Sequence, residues 1–274
     1  MSVSCDLCFH HCRLAEGQTG LCRARANRGG RIVPLNYGKL TALALDPIEK
    51  KPLRRFCPGS VILSVGSFGC NLHCPFCQNA GIAAAGEEIS TRDCSPETLV
   101  GEALRLRSRG NIGVAYTYNE PLMGYEYVRD CALLVRQTGL YNVLVTNGTI
   151  EEGPWRALLP LIDAVNIDLK GFTEKWYRTL GGDLETVRRS ITLAAGSCHV
   201  EVTTLIVPGE NDRADEMRAL SKWLASVDPD IPLHVSRFFP RHHMSGRPPT
   251  PVETVYRLAD VARERLRYVY TGNC

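Results

Sequence analysis

The stretch VGSFGCNLHCPFCQN, residues 65–79, decides the fold of this 274-residue chain. It follows the apolar β-branched run VILSV at 61–65 and places Cys70, Cys74 and Cys77 in CxxxCxxC spacing. In βα barrels the loops that follow the strands form the functional face. The sequence therefore predicts that three thiols converge at the carboxyl end of a parallel sheet, where a substrate would bind.

From residue 60 onward, short β-branched runs alternate with longer stretches of helical period. We predict strands at 61–65, 113–117, 141–146, 164–169, 199–207, 233–238 and 268–270. We predict helices at 95–109, 122–138, 154–161, 184–195, 214–226 and 252–266. Such alternation requires a parallel sheet, either open or closed into a barrel. Six complete units and a terminal strand favour an α/β fold that is a partial (βα)6, TIM-like barrel.

The first residues have a different character, because four cysteines follow one another closely among glycines. Cys5, Cys8, Cys12 and Cys22 stand in C-x2-C-x3-C-x9-C spacing. Four thiolates can close a zinc site or hold a second iron–sulfur cluster, with His10 and His11 as further candidate ligands. We therefore predict a small Cys-rich module with its connector at 1–58 and a barrel domain at 59–274.

Composition and charge restrict the function further. Hydrophobic residues make up 44% of the chain and charged residues 22%, which is typical of a globular protein. Residues 1–60 hold ten Lys and Arg against four Asp and Glu. This excess of positive charge indicates either a surface that binds an acidic partner or an ordinary solvated basic face. The first residues lack the apolar stretch of a signal peptide, and prolines and glycines break the uncharged run 56–86. We expect a cytoplasmic protein without a membrane span.

The spacing of the three barrel cysteines indicates a metal centre with an open position. Three thiolates bind three irons of a four-iron cluster and leave the fourth iron free for another ligand. The alternative is a zinc knuckle in which His73 supplies the fourth ligand. The strand before the loop favours the cluster.

The cysteine loop, with the aromatic Phe76 before its last cysteine, resembles the signature of radical S-adenosylmethionine enzymes. Within them the chain is most similar to the pyruvate formate-lyase activating enzyme-like group, in particular its AmmeMemoRadiSam members. The resemblance covers nearly the whole chain. The other stretches that carry it are CDLCFHHCRLAEGQTGLC at 5–22, ALDPIEKKPLRRFCPGS at 44–60, YTYNEP at 116–121, VTNGT at 145–149, NIDLKG at 166–171, VPGEND at 207–212 and SRFFPRH at 236–242.

This resemblance implies that Cys70, Cys74 and Cys77 hold a [4Fe-4S] cluster whose open iron binds S-adenosylmethionine. The reduced cluster would cleave the cofactor to methionine and a 5′-deoxyadenosyl radical, which abstracts a hydrogen atom. The electron would come from a flavodoxin or ferredoxin type donor. The substrate is an unknown protein or small molecule, and the activating enzymes suggest the backbone glycine of a glycyl radical enzyme. Phe76 would pack near the adenine, or simply in the core.

The resemblance also implies a set of cofactor-binding residues at the strand ends. Glu120 would meet the cofactor's ammonium group, although it could instead cap the helix that begins at Pro121. Asp168 and Lys170, two residues apart, point to one side of their strand. Val145 stands where the activating enzymes have an acidic residue, so their cation site is in doubt. The remaining candidates are Thr146, Asn147 and His242, with His243 as the alternative to His242 and Tyr118 and Asn119 as weaker candidates.

Two other functions fit parts of the sequence. A non-catalytic iron–sulfur electron carrier would not account for Glu120, Asp168 and Lys170 at the strand ends. A zinc-dependent nucleic-acid binder needs aromatic side chains along a basic stripe, which residues 1–60 scarcely provide. We therefore expect an enzyme that does not bind nucleic acid. The other cysteines are expected to be ordinary thiols: Cys57, Cys94, Cys131, Cys198 and Cys274.

Overall fold

The computed structural model describes residues 2–274, and its strands occur in two groups. Those before the barrel are β1 Val3–Ser4, β2 Arg13–Leu14, β3 Arg25–Arg28, β4 Arg31–Pro34, β5 Lys39–Leu40 and β6 Ala42–Pro47. Those that follow are β7 Val61–Gly66, β8 Arg92–Asp93, β9 Asn111–Tyr116, β10 Tyr141–Thr146, β11 Ala164–Asp168, β12 His199–Ile206, β13 Leu233–Arg237 and β14 Val269–Gly272. All seven predicted strands are present, with ends that differ by at most two residues.

Helices alternate with these strands. They are α1 Ala80–Ala83, α2 Pro96–Arg105, α3 Tyr125–Gln137, α4 Glu152–Leu158, α5 Glu174–Thr179, α6 Leu184–Ala195, α7 Ala214–Val227 and α8 Val252–Arg263. Ser95 caps α2 because its side chain accepts a hydrogen bond from the backbone of Thr98, and Pro96 occupies the first turn. The two short helices α1 and α5 were not predicted. The predicted helix at 122–138 begins as the 3-10 turn Pro121–Gly124 before α3.

One eight-stranded sheet organises the chain, in the order β14-β13-β12-β11-β10-β9-β7-β6. Every neighbouring pair from β7 to β14 is parallel, whereas β6 runs antiparallel to β7. The predicted partial (βα)6 barrel is thus confirmed, with β14 as the additional parallel strand. The prediction missed β6, which lies in the segment expected to be a connector.

Residues 48–56, which we call the base segment, fill the barrel interior at the amino ends of the strands. Ile48 and Leu53 are fully buried in an apolar cluster formed with side chains of β7, β9, β10 and β11. The Phe56 ring packs edge-on against Tyr141 at the start of β10 and also lies near His199 at the start of β12. One end of the barrel is therefore closed by the chain that precedes β7.

Residues 2–35, which we call the leader, pack on the opposite, carboxyl-end side of the sheet. The Arg25 guanidinium, almost fully buried, forms two 2.7 Å hydrogen bonds with the carboxylate of Glu126 on α3. The Leu7 carbonyl accepts a hydrogen bond from the backbone of Glu151, at 2.9 Å. The predicted domain boundary at residue 58 lies between the leader and β7 in the sequence. β6 precedes this boundary, yet it pairs with β7 in the barrel sheet. Among residues 2–274, no helix is both long and apolar enough to cross a membrane.

Candidate functional site

The loop after β7 carries Cys70, Cys74 and Cys77, as predicted, and it lies directly against the leader. Gly69 has φ +89°, and a Cβ there would lie 2.6 Å from both the Ala24 Cβ and the Cys22 carbonyl oxygen. Only glycine fits this close approach in this conformation. The Cys70 backbone N–H donates to the same Cys22 carbonyl at 3.2 Å. The leader backbone thus fixes the position of Cys70, the first cysteine of the loop.

The three cysteines line one cavity of about 610 Å³ at the carboxyl ends of the strands. This volume lies in the range of small-molecule and cofactor sites, about 300–1,000 Å³. His73, His242 and His243 line it as well, and the leader contributes residues 19–21 and Arg23. The cavity is therefore shared by the cysteine loop, the loop after β13 and the leader.

The three barrel thiols face the cavity from one loop. Three thiolates can bind three irons of a four-iron cluster and leave the fourth iron open to another ligand. Among residues 2–274, no three His, Cys, Asp or Glu side chains are grouped as ligands of a single metal ion. In the metal-free protein, burial raises the pKa of the Cys74 thiol to about 11, partly opposed by the charge of Lys170.

Glu120 is buried and hydrogen-bonded at both carboxylate oxygens. One oxygen accepts from the Leu122 backbone at 3.1 Å and from the Thr146 hydroxyl at 2.7 Å; the other accepts from the Asn147 backbone at 2.7 Å. Burial raises the pKa of Glu120 to about 7 against the opposing effect of these hydrogen bonds. The carboxylate therefore caps the turn that begins at Pro121, and it also ties that turn to the end of β10.

Asn147 connects this carboxylate with the cysteine loop. Its side-chain NH₂ lies 3.7 Å from the Cys70 sulfur and donates to the Asn71 side-chain oxygen at 3.0 Å. The neighbouring Thr146 hydroxyl is used by Glu120 and by the Gly148 backbone. Of these two predicted residues, Asn147 thus contacts a cysteine directly, whereas Thr146 acts through Glu120.

Asp168, the last residue of β11, forms an ion pair of 2.8 Å with Lys170. Burial acts to lower the pKa of Lys170, but the Asp168 carboxylate outweighs it, and the pKa lies above its usual range. Lys170 therefore stays protonated, and its charge acts on the Cys74 thiol. The Asp168 side chain remains about one third exposed, so part of the carboxylate is free for another group.

The two histidines after β13 face the cavity together. His242 has φ +49°, and the ring centroids of His242 and His243 lie 3.7 Å apart. Both line the same cavity, so the structure does not favour one histidine over the other as a contact of a bound cofactor. Phe76 is buried and stacks on Trp176, with ring centroids 6.0 Å apart, inside an apolar cluster that also contacts Cys74. Phe76 therefore packs in the apolar core, which is one of its two expected roles.

The four leader cysteines converge on one small cavity of about 10 Å³, which they line with His10 and the barrel residue Asn71. Burial raises the pKa of the Cys8 thiol to about 11, although a hydrogen bond from Asn71 opposes the rise. The His10 ring nitrogen lies 2.8 Å from the Asn71 carbonyl oxygen. His11 points elsewhere, toward Asp6 and Glu151.

Sequence reasoning missed the polar groups inside the barrel. The Tyr118 hydroxyl, a weak cofactor candidate, donates to Asp46 at 2.6 Å, and the buried Lys51 ammonium pairs with the same carboxylate at 2.8 Å. Glu201 accepts hydrogen bonds from the backbones of Arg54 and Arg55, at 3.0 and 2.7 Å. The sequence signal for this buried group was Glu201 itself, a charged residue at an inward-facing position of the strand HVEVTTLI. Asn119 holds the cysteine loop, since its side chain donates to the Phe68 and Gly69 carbonyls.

This arrangement of a cysteine loop after the first strand of a partial barrel is matched by a known family. The radical SAM superfamily profile covers residues 64–221, more than half of the chain. The protein therefore belongs to the radical SAM superfamily, whose members typically use a [4Fe-4S] cluster and S-adenosylmethionine.

Individual proteins are similar to parts or nearly all of this chain. Protein MJ0808 of Methanocaldococcus jannaschii, itself uncharacterized, is 40% identical over 275 residues, which is 99% of this chain and 81% of the relative. Pyruvate formate-lyase 1-activating enzyme of Escherichia coli K12 is 26% identical over 161 residues, 57% of this chain and 65% of that enzyme. The crystal structure of QueE from Escherichia coli shares the fold, with TM-score 0.55 at 14% identity over 86% of this chain and 93% of QueE.

Proposed function

We propose that the protein cleaves S-adenosylmethionine reductively and uses the resulting 5′-deoxyadenosyl radical to abstract a hydrogen atom from a substrate. The observation that carries the proposal is the placement of Cys70, Cys74 and Cys77 on one wall of a 610 Å³ cavity at the carboxyl ends of the barrel strands. When bound there, a [4Fe-4S] cluster supplies the electron that breaks the cofactor's sulfonium bond. A flavodoxin or ferredoxin type protein is the proposed donor.

The chain's own residues have distinct parts in this proposal. Asp168, partly exposed and oriented by Lys170, offers a carboxylate to a cationic or hydroxyl group of the cofactor. Glu120 accepts three hydrogen bonds, and a carboxylate has about four acceptor sites, so one is left for the cofactor's ammonium group. The other proposed cofactor contacts are Phe76, Thr146, Asn147 and His242.

The substrate class follows from the similarity to the activating enzymes, which we extend to a proposal. The chain would act as an activase-like protein that generates a radical on a partner enzyme. The leader would hold a metal at its four cysteines, either zinc or an iron–sulfur cluster. We propose that the protein works in the cytoplasm, where a reducing environment keeps metal-binding cysteines available as thiolates.

The first experiment is anaerobic reconstitution with iron and sulfide, reduction, and addition of S-adenosylmethionine. We expect 5′-deoxyadenosine and methionine in equal amounts. A fully loaded, reduced protein that forms neither, even with candidate protein substrates added, would contradict the proposal.

A second experiment tests the Glu120 carboxylate. Glu120→Gln replaces the carboxyl group by an amide of the same shape, which cannot pair with an ammonium group, so we expect weaker binding of S-adenosylmethionine with iron content near wild type. Glu264→Gln is the control, because this carboxylate is exposed and lies outside the lining of the cavity. Equal cofactor affinity for wild type and Glu120→Gln, measured by calorimetry, would remove Glu120 from the cofactor site.

A further inference from the structure

One turn of the leader forms part of the wall of the cavity. The turn comprises residues 20–23, and the Arg23 backbone N–H closes it by donating to the Gly20 carbonyl at 2.9 Å. Inside the turn, the Cys22 carbonyl accepts the 3.2 Å hydrogen bond from the Cys70 N–H. A molecule bound by this turn therefore lies beside the first cysteine of the barrel loop.

The turn presents an apolar side chain to the cavity. Leu21 is 55% exposed, which makes it the most exposed large apolar side chain among residues 2–274. It lines the cavity together with Ala80 and Ala83 of α1 and with Ala84, which follows that helix. A ligand that covers Leu21 removes this apolar surface from water, which favours binding. The leader turn and α1 thus offer apolar contacts to the body of a bound molecule.

Arg23 adds a positive charge to the same wall. Its guanidinium donates to the Ala84 carbonyl at 2.6 Å, which holds the side chain at the cavity. A guanidinium has five N–H donors, so donors remain for a carboxylate or a phosphate. The neighbouring Glu88 carboxylate is held by the Gly86 backbone N–H at 2.8 Å. Arg23 also has φ +59°, a conformation that is uncommon for a residue with a side chain and recurs at ligand sites.

The other polar side chains of the cavity favour an anion as well. The imidazole rings of His73, His242 and His243 are exposed and line the cavity. Each imidazole offers an N–H donor, and a protonated one also carries positive charge. No Asp or Glu among residues 2–274 lines the cavity, since Glu120 and Asp168, proposed for the cofactor, lie outside this lining. Outside the cysteine loop, the lining is therefore suited to an anionic ligand.

We propose that the substrate of this protein carries a carboxylate or phosphate group on an apolar body. Arg23 binds the anionic group through its remaining N–H donors, and Leu21 packs against the apolar body. This assignment rests on the proposed function and deepens it by naming the class of substrate. Because Cys22 ties the turn to Cys70, the two contacts hold the substrate beside the cysteine loop.

The first test measures which probes bind to the reconstituted full-length protein, with and without S-adenosylmethionine. The probes are hexanoate, hexyl phosphate and hexanol, followed by ligand-observed NMR. We expect both anions to bind and hexanol to bind about ten- to a hundredfold more weakly, because it forms no charge-assisted hydrogen bonds. The tighter of the two anions identifies the group that Arg23 recognises. Equal affinity for hexanol, or no binding of either anion, would overturn the proposal.

The second test reverses the charge of the turn. Arg23→Glu should lose both anions and bind hexylammonium instead, and Arg23→Gln should bind the anions about ten- to a hundredfold more weakly. The control is Arg13→Glu, at an exposed leader arginine outside the lining, which should keep the wild-type preference. Iron content and melting temperature show that the variants are folded. A wild-type preference in both Arg23 variants would refute the role of Arg23.

The apolar contact is tested separately. Leu21→Ala should bind hexanoate about three- to tenfold more weakly, because it loses apolar contact area. Its affinity for inorganic phosphate, which has no apolar body, should equal that of wild type. Equal affinity of wild type and Leu21→Ala for hexanoate would remove Leu21 from the substrate site.

The affinity for S-adenosylmethionine distinguishes a substrate contact from a cofactor contact. Calorimetry should give the same affinity for wild type and Arg23→Glu. A matching loss of cofactor affinity would make Arg23 a contact of the cofactor and overturn the substrate assignment. Probe binding needs neither a reductant nor cleavage, so it reports on the turn even if no 5′-deoxyadenosine forms. Conversely, cleavage together with unchanged anion binding in Arg23→Glu would refute this inference and leave the proposed function intact.

Discussion

At the carboxyl ends of the barrel strands, three thiols face a cavity of about 610 Å³, whereas at the amino ends the base segment fills the interior. The polar groups differ in the same way. At the mouth, Asp168 keeps part of its carboxylate exposed, while at the base Asp46 and Glu201 are buried and fully engaged. Carboxylates that are buried and paired within the protein contribute to the fold, whereas the exposed part of the Asp168 side chain stays accessible to a ligand.

The comparison predicts that changes at the mouth affect chemistry and changes at the base affect stability. The largest expected effect is that of Cys74→Ala, which should abolish cleavage of S-adenosylmethionine because the barrel cluster loses a ligand. The melting temperature of the metal-free protein should stay close to wild type. Cys274→Ser, at an exposed thiol, should retain activity. Cleavage by Cys74→Ala would contradict the ligand assignment.

At the base, Asp46→Asn should destabilise the fold by about 3–5 kcal/mol, because it leaves the buried Lys51 ammonium without its partner. Urea unfolding measures the difference. The double variant Asp46→Asn/Lys51→Met removes both charges and should recover part of the loss. If the unfolding free energy of Asp46→Asn lies within about 1 kcal/mol of the wild-type value, the Asp46–Lys51 pair does not stabilise the amino end of the barrel.

Glu201 makes the folding stability of the protein depend on pH. Burial alone would raise its pKa, but hydrogen bonds from His199, His234 and two backbone N–H groups lower it to about 2 from an ordinary value of 4.5. A lowered pKa stabilises the fold above pH 4.5, and this contribution is lost as the pH falls toward 2. The stability advantage of wild type over Glu201→Gln should therefore shrink by about 3 kcal/mol over that range. An advantage independent of pH would contradict this.

The smallest expected effect lies away from both ends. Ser95→Ala removes the side-chain cap of α2 and should cost about 1 kcal/mol of unfolding free energy. Iron content and cofactor cleavage should not change. A loss of activity at constant iron content would show that the mouth is sensitive to the outer helices, which would weaken the contrast between the two ends.

The barrel was predictable because its strands and helices each have a regular local pattern. The β-branched runs 61–65 and 141–146 and the capped helix at Ser95 depend on neighbours within a few residues. β6 could not be recognised in the same way, because residues 42–47 become a strand only by pairing with β7, across an irregular segment.

The site was predictable where one loop holds all the residues, as with Cys70, Cys74 and Cys77. Contacts between distant segments were not. Nothing in the spacing of the leader cysteines indicates that Cys22 meets Cys70 or that Asn71 lies beside Cys8. Likewise, Glu120 was expected to face the cofactor or to cap a turn, and its bonds to Thr146 and Asn147 depend on how β9 and β10 align.

The base segment also has a consequence for the order in which the chain is made. The backbone N–H groups of Arg54 and Arg55 are paired by a carboxylate 146 to 147 residues further along. At about 5–20 residues per second, a ribosome needs roughly 7 to 30 seconds to deliver it. During that interval the base segment has no partner at β12, so a nascent chain that ends before residue 199 cannot complete this end of the barrel.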